Sequence, residues 1–469
     1  MALARFVLEY AGNGDNDAPV FLDANGAEES LSLAQVRRFT AWRGDPCPVR
    51  VGIHCRNSIW LPVAVLKLAA AGATAVLQNP SDKADALRQL YVCGAREVVV
   101  DDDDSDSKAF FLARGIKPHS LRAFVRAASP PCFGGSAAAA EGLVIFSSGT
   151  TGLPKGVRLS YENVIAHLRL RLQVRTPLSP LLLAMPLFHI YGMVLCFQAL
   201  MTRAQLVFLP VPYRVERLMQ VLEQFQIAEA PLVTPIIRDL AQRPDLHRIR
   251  GSLKRLHNGG AALDHETIVR LRSLLPDTQQ TQGYGMSETA GGFIYTDPTR
   301  PIRDDSIGHV LPETQVRIAP EDGELFVKGP TVFVGYLPPS TEGGADADGW
   351  LATGDQVRRD AEGYHYIVGR KKEVFKVKGE QVSPTELEGV ILRVCPEVAE
   401  AAVRGEAHPR SGAVPVAHVV LRPGAALSES ELMARVATEV AHFKRLHRVV
   451  FRSEPIPKTA SGKIQRAKL

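Results

Sequence analysis

The chain has 469 residues, enough for about three folding units at roughly 150 residues each. Hydrophobic residues make up 45% and charged residues 22%, with 18 Phe, 10 Tyr and 3 Trp, which excludes a chain disordered throughout. The formal net charge of +5 is spread without a dense basic block, so no nucleic-acid partner is expected and only a weak preference for anionic ligands is licensed.

The six cysteines, Cys47, Cys55, Cys93, Cys132, Cys196 and Cys395, have neither Cys-x-x-Cys nor Cys/His metal spacing, as in a reducing compartment, and most of them read as core residues. No apolar run reaches the roughly 18 residues that span a bilayer, and Met1 to Val7 lacks the apolar stretch of a secretion signal. A soluble, cytoplasmic protein without a transmembrane segment is expected. The terminal Ala467-Lys468-Leu469 is a conservative variant of the Ser-Lys-Leu peroxisomal address, and would act as one in a eukaryote.

Along the chain, a β-rich run from Val49 to His54 precedes an apolar helical stretch from Trp60 to Gly72 and a second short run from Thr74 to Leu77. A further helix from Asp82 to Val92 leads to an apolar run from Glu97 to Val100. Strands alternating with helices predict βαβ units and a mainly parallel sheet flanked by helices, an α/β fold. The acidic run from Asp101 to Asp106 reads as a solvated loop. The small residues from Gly134 onward read as a connector into Leu143 to Phe146, a buried strand. No internal repeat is visible. The last hundred residues alternate strands, such as Val414 to Leu421, with a helix around Ser430 to His442, and suggest a separate small α+β unit. The boundary is placed at Gly369, giving a large N-terminal domain over 1–368 and a C-terminal domain over 369–469.

Directly after the buried strand comes Ser147-Ser-Gly-Thr-Thr-Gly-Leu-Pro-Lys-Gly156. Glycines let backbone N–H groups curl toward a phosphate, hydroxyls add donors without bulk, and a lysine supplies a point charge. The spacing does not fit the ordinary P-loop of nucleotide hydrolases.

This loop resembles the signature of the adenylate-forming superfamily, which includes acyl- and aryl-CoA ligases, firefly luciferase and the adenylation domains of peptide synthetases. Six further stretches follow in the family's order. They are Pro186 to Gly192, Gly283 to Thr289, Gly323 to Pro330, Gly349 to Asp355, Gly369 to Glu373 and Pro457 to Lys463. The likeness covers residues 140 to 469 and is nearest to the 4-coumarate-CoA ligase and luciferase branch. It implies a large N-terminal domain and a small mobile C-terminal domain.

The resemblance also implies roles. Ser147, Ser148, Gly149, Thr150, Thr151, Gly152 and Lys155 would bind ATP, with Thr150, Thr151 and Lys155 on the departing β- and γ-phosphates. Glu288 would ligate Mg²⁺, a hard cation suited to carboxylate and phosphate oxygens. Gly259, Gly260 and Ala261 would face adenine opposite the Tyr284 ring, and Gly283, Gly285, Met286 and Ser287 would complete the AMP site, with Ser287 at the α-phosphate. Asp355 would accept both ribose hydroxyls, reinforced by Arg370. Lys463 would bridge the attacking carboxylate and the α-phosphate. His189, with Ile190 and Tyr191, would border the acyl pocket. Lys378 and Gly379 would line the channel for CoA, and Gly369, where many relatives carry an acidic hinge residue, would serve as a swivel.

The pocket segments 189–192, 231–236, 257–262 and 283–292 are mostly small and apolar, so an apolar carboxylic acid, aryl-propenoic or medium-chain fatty, is the expected partner. The implied activity is an AMP-forming acid-CoA ligase. A stand-alone acyl-AMP ligase loading a carrier protein, a luciferase-type oxygenase and a non-catalytic homologue remain alternatives. The oligomeric state is not legible.

Overall fold

Arg50–His54, Thr74–Leu77 and Glu97–Val100 are strands, as their β-branched content predicts, separated by the helices Leu61–Ala70 and Lys83–Cys93. The computed structural model describes the chain except Met1, residues 13–16, 25–28, 43–45, 128–140, 148–154, Ala262, Asp264, Asp305 and residues 340–342 and 459–463, and the side chains of Ser147, His265 and Glu266. Both ends of one helix follow local chemistry. Asp82 caps the Lys83–Cys93 helix through the Asp85 backbone N–H, and Gly94, at φ 67°, ends it in the left-handed conformation.

Among the described residues, the first sheet has seven strands. Five of them, Glu141–Ser147, Thr74–Leu77, Arg50–His54, Glu97–Val100 and Lys117–Ser120, run parallel in that spatial order. Lys155–Ser160 then pairs antiparallel with Glu141–Ser147, and Gly335–Leu337 pairs antiparallel with Lys155–Ser160. A second, nine-stranded sheet has a parallel centre that includes Leu181–Leu183, Glu229–Val233, Arg255–Gly259 and Gln279–Met286. One buried cluster joins Val51, Ile53 and Ile145 of the first sheet to Leu183, Leu206 and Phe208 of the second through intervening helices. Leu61–Ala70 is such a helix, buried on all sides except at Ala70, as an all-round apolar helix must be. Its Lys67 is buried too and donates to the Val125 carbonyl at 2.6 Å; burial lowers its pKa to about 8.

The acidic run is exposed at Asp102, Asp103 and Asp106, as a solvated loop would be, but departs from that reading at Asp101 and Asp104. Asp101 is buried and accepts at 3.0 Å from both the backbone N–H and Nε of Arg56, while Asp104 caps the helix Ser105–Leu112 through the Ser107 N–H at 2.9 Å. The acids were needed to pair an arginine and to start a helix, neither of which a charge run announces.

A third, antiparallel sheet contains Gln315–Ile318, Glu324–Lys328, Leu351–Arg359 and His365–Arg370. The next strand, Phe375–Val377, belongs to a different sheet, built on Val398–His408 and Gly412–Leu421 with the helices Pro384–Val394 and Glu429–Glu439 against it. Gly369 sits in the strand His365–Arg370, paired with Gln356 beside a shift in the register. A Cβ there would lie 2.4 Å from Ser383 Oγ, so the glycine is required for close packing in this conformation. Among the described residues no helix is long and apolar enough to cross a membrane. Of the described cysteines, Cys55, Cys93, Cys196 and Cys395 are buried, as core residues should be, while Cys47 is half-buried; Cys132 lies outside the described residues.

Candidate active site

The parallel strands Glu229–Val233, Arg255–Gly259 and Gln279–Met286 end side by side, with Val233, Gly259 and Gly283 in register. The carboxyl ends of such strands are where α/β sheets bind ligands. Beyond Gly259 the chain turns through Gly260 at φ 92°, and the turn is pinned by Thr234 Oγ1 and Asn258 Nδ2, each donating to the Ala261 carbonyl at 2.8 Å.

Gln279–Met286 turns back on Gly291–Tyr295 through the single turn Ser287–Thr289. A Cβ on Gly285 would lie 2.2 Å from the Gly291 carbonyl oxygen, so only glycine admits this close return. The turn sets Glu288 at the strand end, 8% exposed. Its Oε1 accepts from the Tyr336 phenol at 2.8 Å, and the Lys155 ammonium lies 5.3 Å from the centre of the Tyr336 ring. Strand pairing explains the meeting: Tyr336 is in register with Val157, two residues beyond Lys155. Burial, then the Glu288 charge, pushes the Tyr336 phenol well above its ordinary range, so it remains a donor. Sequence reading missed Tyr336, because its place depends on a three-residue edge strand with no spacing signal.

Tyr284 donates through its phenol to Asp355 Oδ2 at 2.7 Å, and Arg370 Nε pairs with Oδ1 at 3.1 Å. Asp355 and Arg370 are cross-strand neighbours in the third sheet. The two carboxylate oxygens thus each have one protein donor and retain lone pairs for further hydrogen bonds. Burial, and next the Asp355 charge, raises the Tyr284 phenol well above its usual value.

His189 precedes the helix Ile190–Thr202, its ring 4.4 Å from that of Phe188, and Ile190 is buried. Tyr191 lays its ring where a Gly259 Cβ would be only 3.1 Å away. Lys378 and Gly379, at φ 51° and 91°, form the exposed two-residue turn of the hairpin Phe375–Val377 and Glu380–Val382. Ser147 ends a strand; Ser148, Gly149, Thr150, Thr151, Gly152 and Lys463 lie outside the described residues. Gly283, Tyr284, Glu288, Lys155, Asp355 and Arg370 are thus brought to one end of the two parallel sheets. The Lys378 turn lies instead on the small C-terminal sheet. No group of three or more His, Cys, Asp or Glu suited to a metal occurs among the described residues.

A sequence profile described as AMP-binding enzyme matches residues 44–337, and one described as AMP-binding enzyme C-terminal domain matches 386–463. The chain belongs to the AMP-binding enzyme family. Similar proteins include 4-coumarate-CoA ligase-like 4 of Oryza sativa subsp. japonica, 34% identical over 70% of this chain and 62% of that protein. Peroxisomal OPC-8:0-CoA ligase 1 of Arabidopsis thaliana is 33% identical over 70% of this chain and 63% of its own length. The match thus spans about three fifths of these relatives. Among solved structures, ATP-bound MatB from Rhodopseudomonas palustris superposes with a TM-score of 0.87 at 24% identity, covering 99% of this chain and 98% of that one. The amide bond synthetase McbA from Marinactinospora thermotolerans gives 0.87 at 24% identity, over 100% and 98%. These two likenesses establish the adenylate-forming fold of the AMP-binding enzyme described here, with its large domain of parallel sheets and smaller C-terminal domain.

Proposed function

We propose that this AMP-binding enzyme is an AMP-forming acid-CoA ligase. It activates a carboxylic acid with ATP as the acyl-AMP, releasing pyrophosphate, and transfers the acyl group to the thiol of CoA. The observation that carries this reading is the convergence of Lys155, Tyr336 and Glu288 with Tyr284, Asp355 and Arg370 at the ends of the parallel strands. One half is cationic and carboxylate-bearing, as a triphosphate with its metal requires; the other is a braced carboxylate, as a ribose diol requires. The ligase names of the relatives lend support.

Glu288 is a buried carboxylate whose Tyr336 contact leaves lone pairs open, which fits a Mg²⁺ ligand. Bound there, Mg²⁺ would neutralise phosphate charge. Asp355 would accept the ribose hydroxyls, while Tyr284 and Arg370 hold its carboxylate in place. Lys155 and the hydroxyls of Thr150 and Thr151 would bear on the β- and γ-phosphates, and Ser287 on the α-phosphate. The adenine would lie between Tyr284 and the Gly259-Gly260-Ala261 turn. Lys463, delivered by a C-terminal domain spanning 369–469, would stabilise charge developing as the acid carboxylate attacks the α-phosphate. The same domain would then turn, bringing Lys378 and Gly379 to the CoA channel. His189 and Tyr191 would border an acid with an apolar body.

The test is pyrophosphate release with ATP and Mg²⁺ over aryl and straight-chain acids, with and without CoA, products identified by mass. CoA-dependent acyl-CoA formation is expected. Acyl-AMP accumulation alone would move the activity to another acceptor, and no release with any acid would favour a non-catalytic homologue.

A further inference from the structure

The wall behind Tyr191 is polar, although the pocket segments read from sequence are small and apolar. The side chains of Glu229, Arg255, His257 and Thr281 occupy the sheet face below Gly259 and Gly283, since Arg255, His257 and Gly259 alternate with residues of the opposite face. Against this face lies the helix Tyr161–Val174, which contributes Arg171, followed by Arg175. These arginines come from outside the segments that the sequence reading assigned to the pocket.

Glu229 pairs with Arg175 through Oε1 and with Arg255 Nη1 at 2.9 Å through Oε2, which also accepts from the Leu178 N–H at 2.9 Å. Arg175 Nη1 further contacts His257 Nδ1 at 3.3 Å. Arg171 is the cation left over. It is 7% exposed, its guanidinium stands 3.6 Å over the Tyr295 ring, and its Nη1 has no hydrogen-bond partner among the described residues. The Tyr191 hydroxyl is likewise buried without a partner. The rings of Tyr191, His257 and Tyr295 follow one another at centroid spacings of 6.3 and 5.9 Å, so the two orphan donors lie at the two ends of one row of rings.

Three guanidinium groups therefore share this face with one carboxylate, whose two oxygens already pair with Arg175 and Arg255. A buried cation without a counter-charge is costly, and a buried donor without an acceptor adds to that cost. The glycine at 283 lets these rings pack against the strand: a Cβ there would stand 2.8 Å from Tyr295 and 3.1 Å from His257. His257 is two strand residues behind Gly259, about 7 Å at strand rise.

We propose that the acyl pocket ends in an anion-accepting pole formed by Arg171 and the Tyr191 hydroxyl, and that the preferred substrate is a carboxylic acid carrying a second carboxylate at its far end. This inference rests on the acid-activating function proposed above and names its substrate class. The apolar body of the acid passes the Tyr191 ring, and the distal carboxylate takes up the free N–H and O–H.

The experiment compares adipic, suberic and terephthalic acids with their monomethyl esters, which keep the length and lose the distal charge. Pyrophosphate release is measured with the wild-type protein, Arg171→Met, Arg171→Lys and Tyr191→Phe, with folding checked by thermal melting. For the wild type, kcat/KM for at least one diacid should exceed that of its monoester by about 100-fold or more, as expected when a site's buried donors are left unpaired. That ratio should collapse toward unity in Arg171→Met, recover in part in Arg171→Lys, and fall less in Tyr191→Phe, which removes one oxygen and threatens folding least. A wild-type ratio near or below one, or a ratio unchanged in folded variants, overturns the proposal. Calorimetric titration of each diacid and its monoester into the protein without nucleotide separates this from the activity: diacid-selective binding lost in the variants, without pyrophosphate release, keeps the pole and rejects the ligase reading. No selective binding and no selective turnover rejects the pole.

Discussion

The Tyr284 phenol and the Arg370 guanidinium grip opposite oxygens of Asp355, at 2.7 and 3.1 Å, so the carboxylate is oriented before any nucleotide arrives. Preorganisation of this kind reduces what binding must order. Tyr284→Phe removes one brace. The KM for ATP should rise about tenfold, with a stability loss of about 1 kcal/mol. Asp355→Ala strands both donors and should lower adenylate formation by about 100-fold or more. ATP–pyrophosphate exchange and thermal melting check both; an unchanged KM for ATP in Tyr284→Phe would remove the brace from the account.

Glu288 is held from one side by Tyr336, and Lys155 stands over the same ring. Glu288→Gln keeps an oxygen for the phenol while removing the charge that a hard cation needs. The half-saturating Mg²⁺ concentration should rise about tenfold or more and the adenylation rate should fall about 100-fold, while the melting temperature moves little. Tyr336→Phe should have a few-fold effect at most. A Glu288→Gln enzyme with the wild-type response to Mg²⁺ would exclude Glu288 as the ligand.

The residues of this half-site differ in how readable they were. Glu288, Asp355 and Lys155 stand in contiguous motifs, because the chemistry there depends on a turn or strand end encoded locally. The parallel sheets were legible for a similar reason: short runs rich in β-branched residues, such as Glu97–Val100, alternate with capped helices such as Lys83–Cys93. Tyr336 and Arg171 were not legible. Each reaches its neighbours through pairing or packing across long stretches of chain, 48 residues from Tyr336 to Glu288 and a helix-to-sheet contact from Arg171 to Tyr295. At Asp101 the reading failed in the opposite direction, since local charge suggested solvent where Arg56 supplied a partner.

Gly369 and Ser383 are in near contact across the junction of the third sheet and the C-terminal unit. Ser383 Oγ donates to the Val368 carbonyl at 2.8 Å and also caps the helix Pro384–Val394 through the Glu386 N–H. The swivel expected of the glycine is thus joined by a packing demand. Gly369→Ala should cost about 1–3 kcal/mol through overpacking, and Ser383→Ala about 1 kcal/mol through the lost cap. Combined, they should cost less than their sum by about 1 kcal/mol, because the second change makes room for the first. Urea unfolding of the four proteins measures the cycle, and strict additivity would exclude the clash.

His54 is buried at the end of Arg50–His54, its ring edge-on to Phe111 at 5.2 Å and both ring nitrogens without partners. Burial outweighs the nearby Asp104 charge and lowers its pKa to about 4, from 6.5. His167 is buried in the same manner and lowered to about 3. Below pH 6.5 the unfolded chain takes up protons that these folded imidazoles refuse, so the unfolded state binds more protons and acid destabilises the fold. Their contribution should be absent above pH 6.5 and grow as the pH falls, up to about 1.4 kcal/mol per pH unit for each histidine, levelling for His54 near pH 4. His54→Leu removes one of the two groups. Its unfolding free energy should therefore fall less steeply with acid than that of the wild type between pH 6.5 and about 4.5, by up to that slope. Urea unfolding across this range, read as the difference between the two proteins, cancels the carboxylates they share. Parallel curves would mean that His54 accepts its proton in the folded state as readily as in the unfolded one, and the buried, unpartnered ring could not then be a source of acid sensitivity.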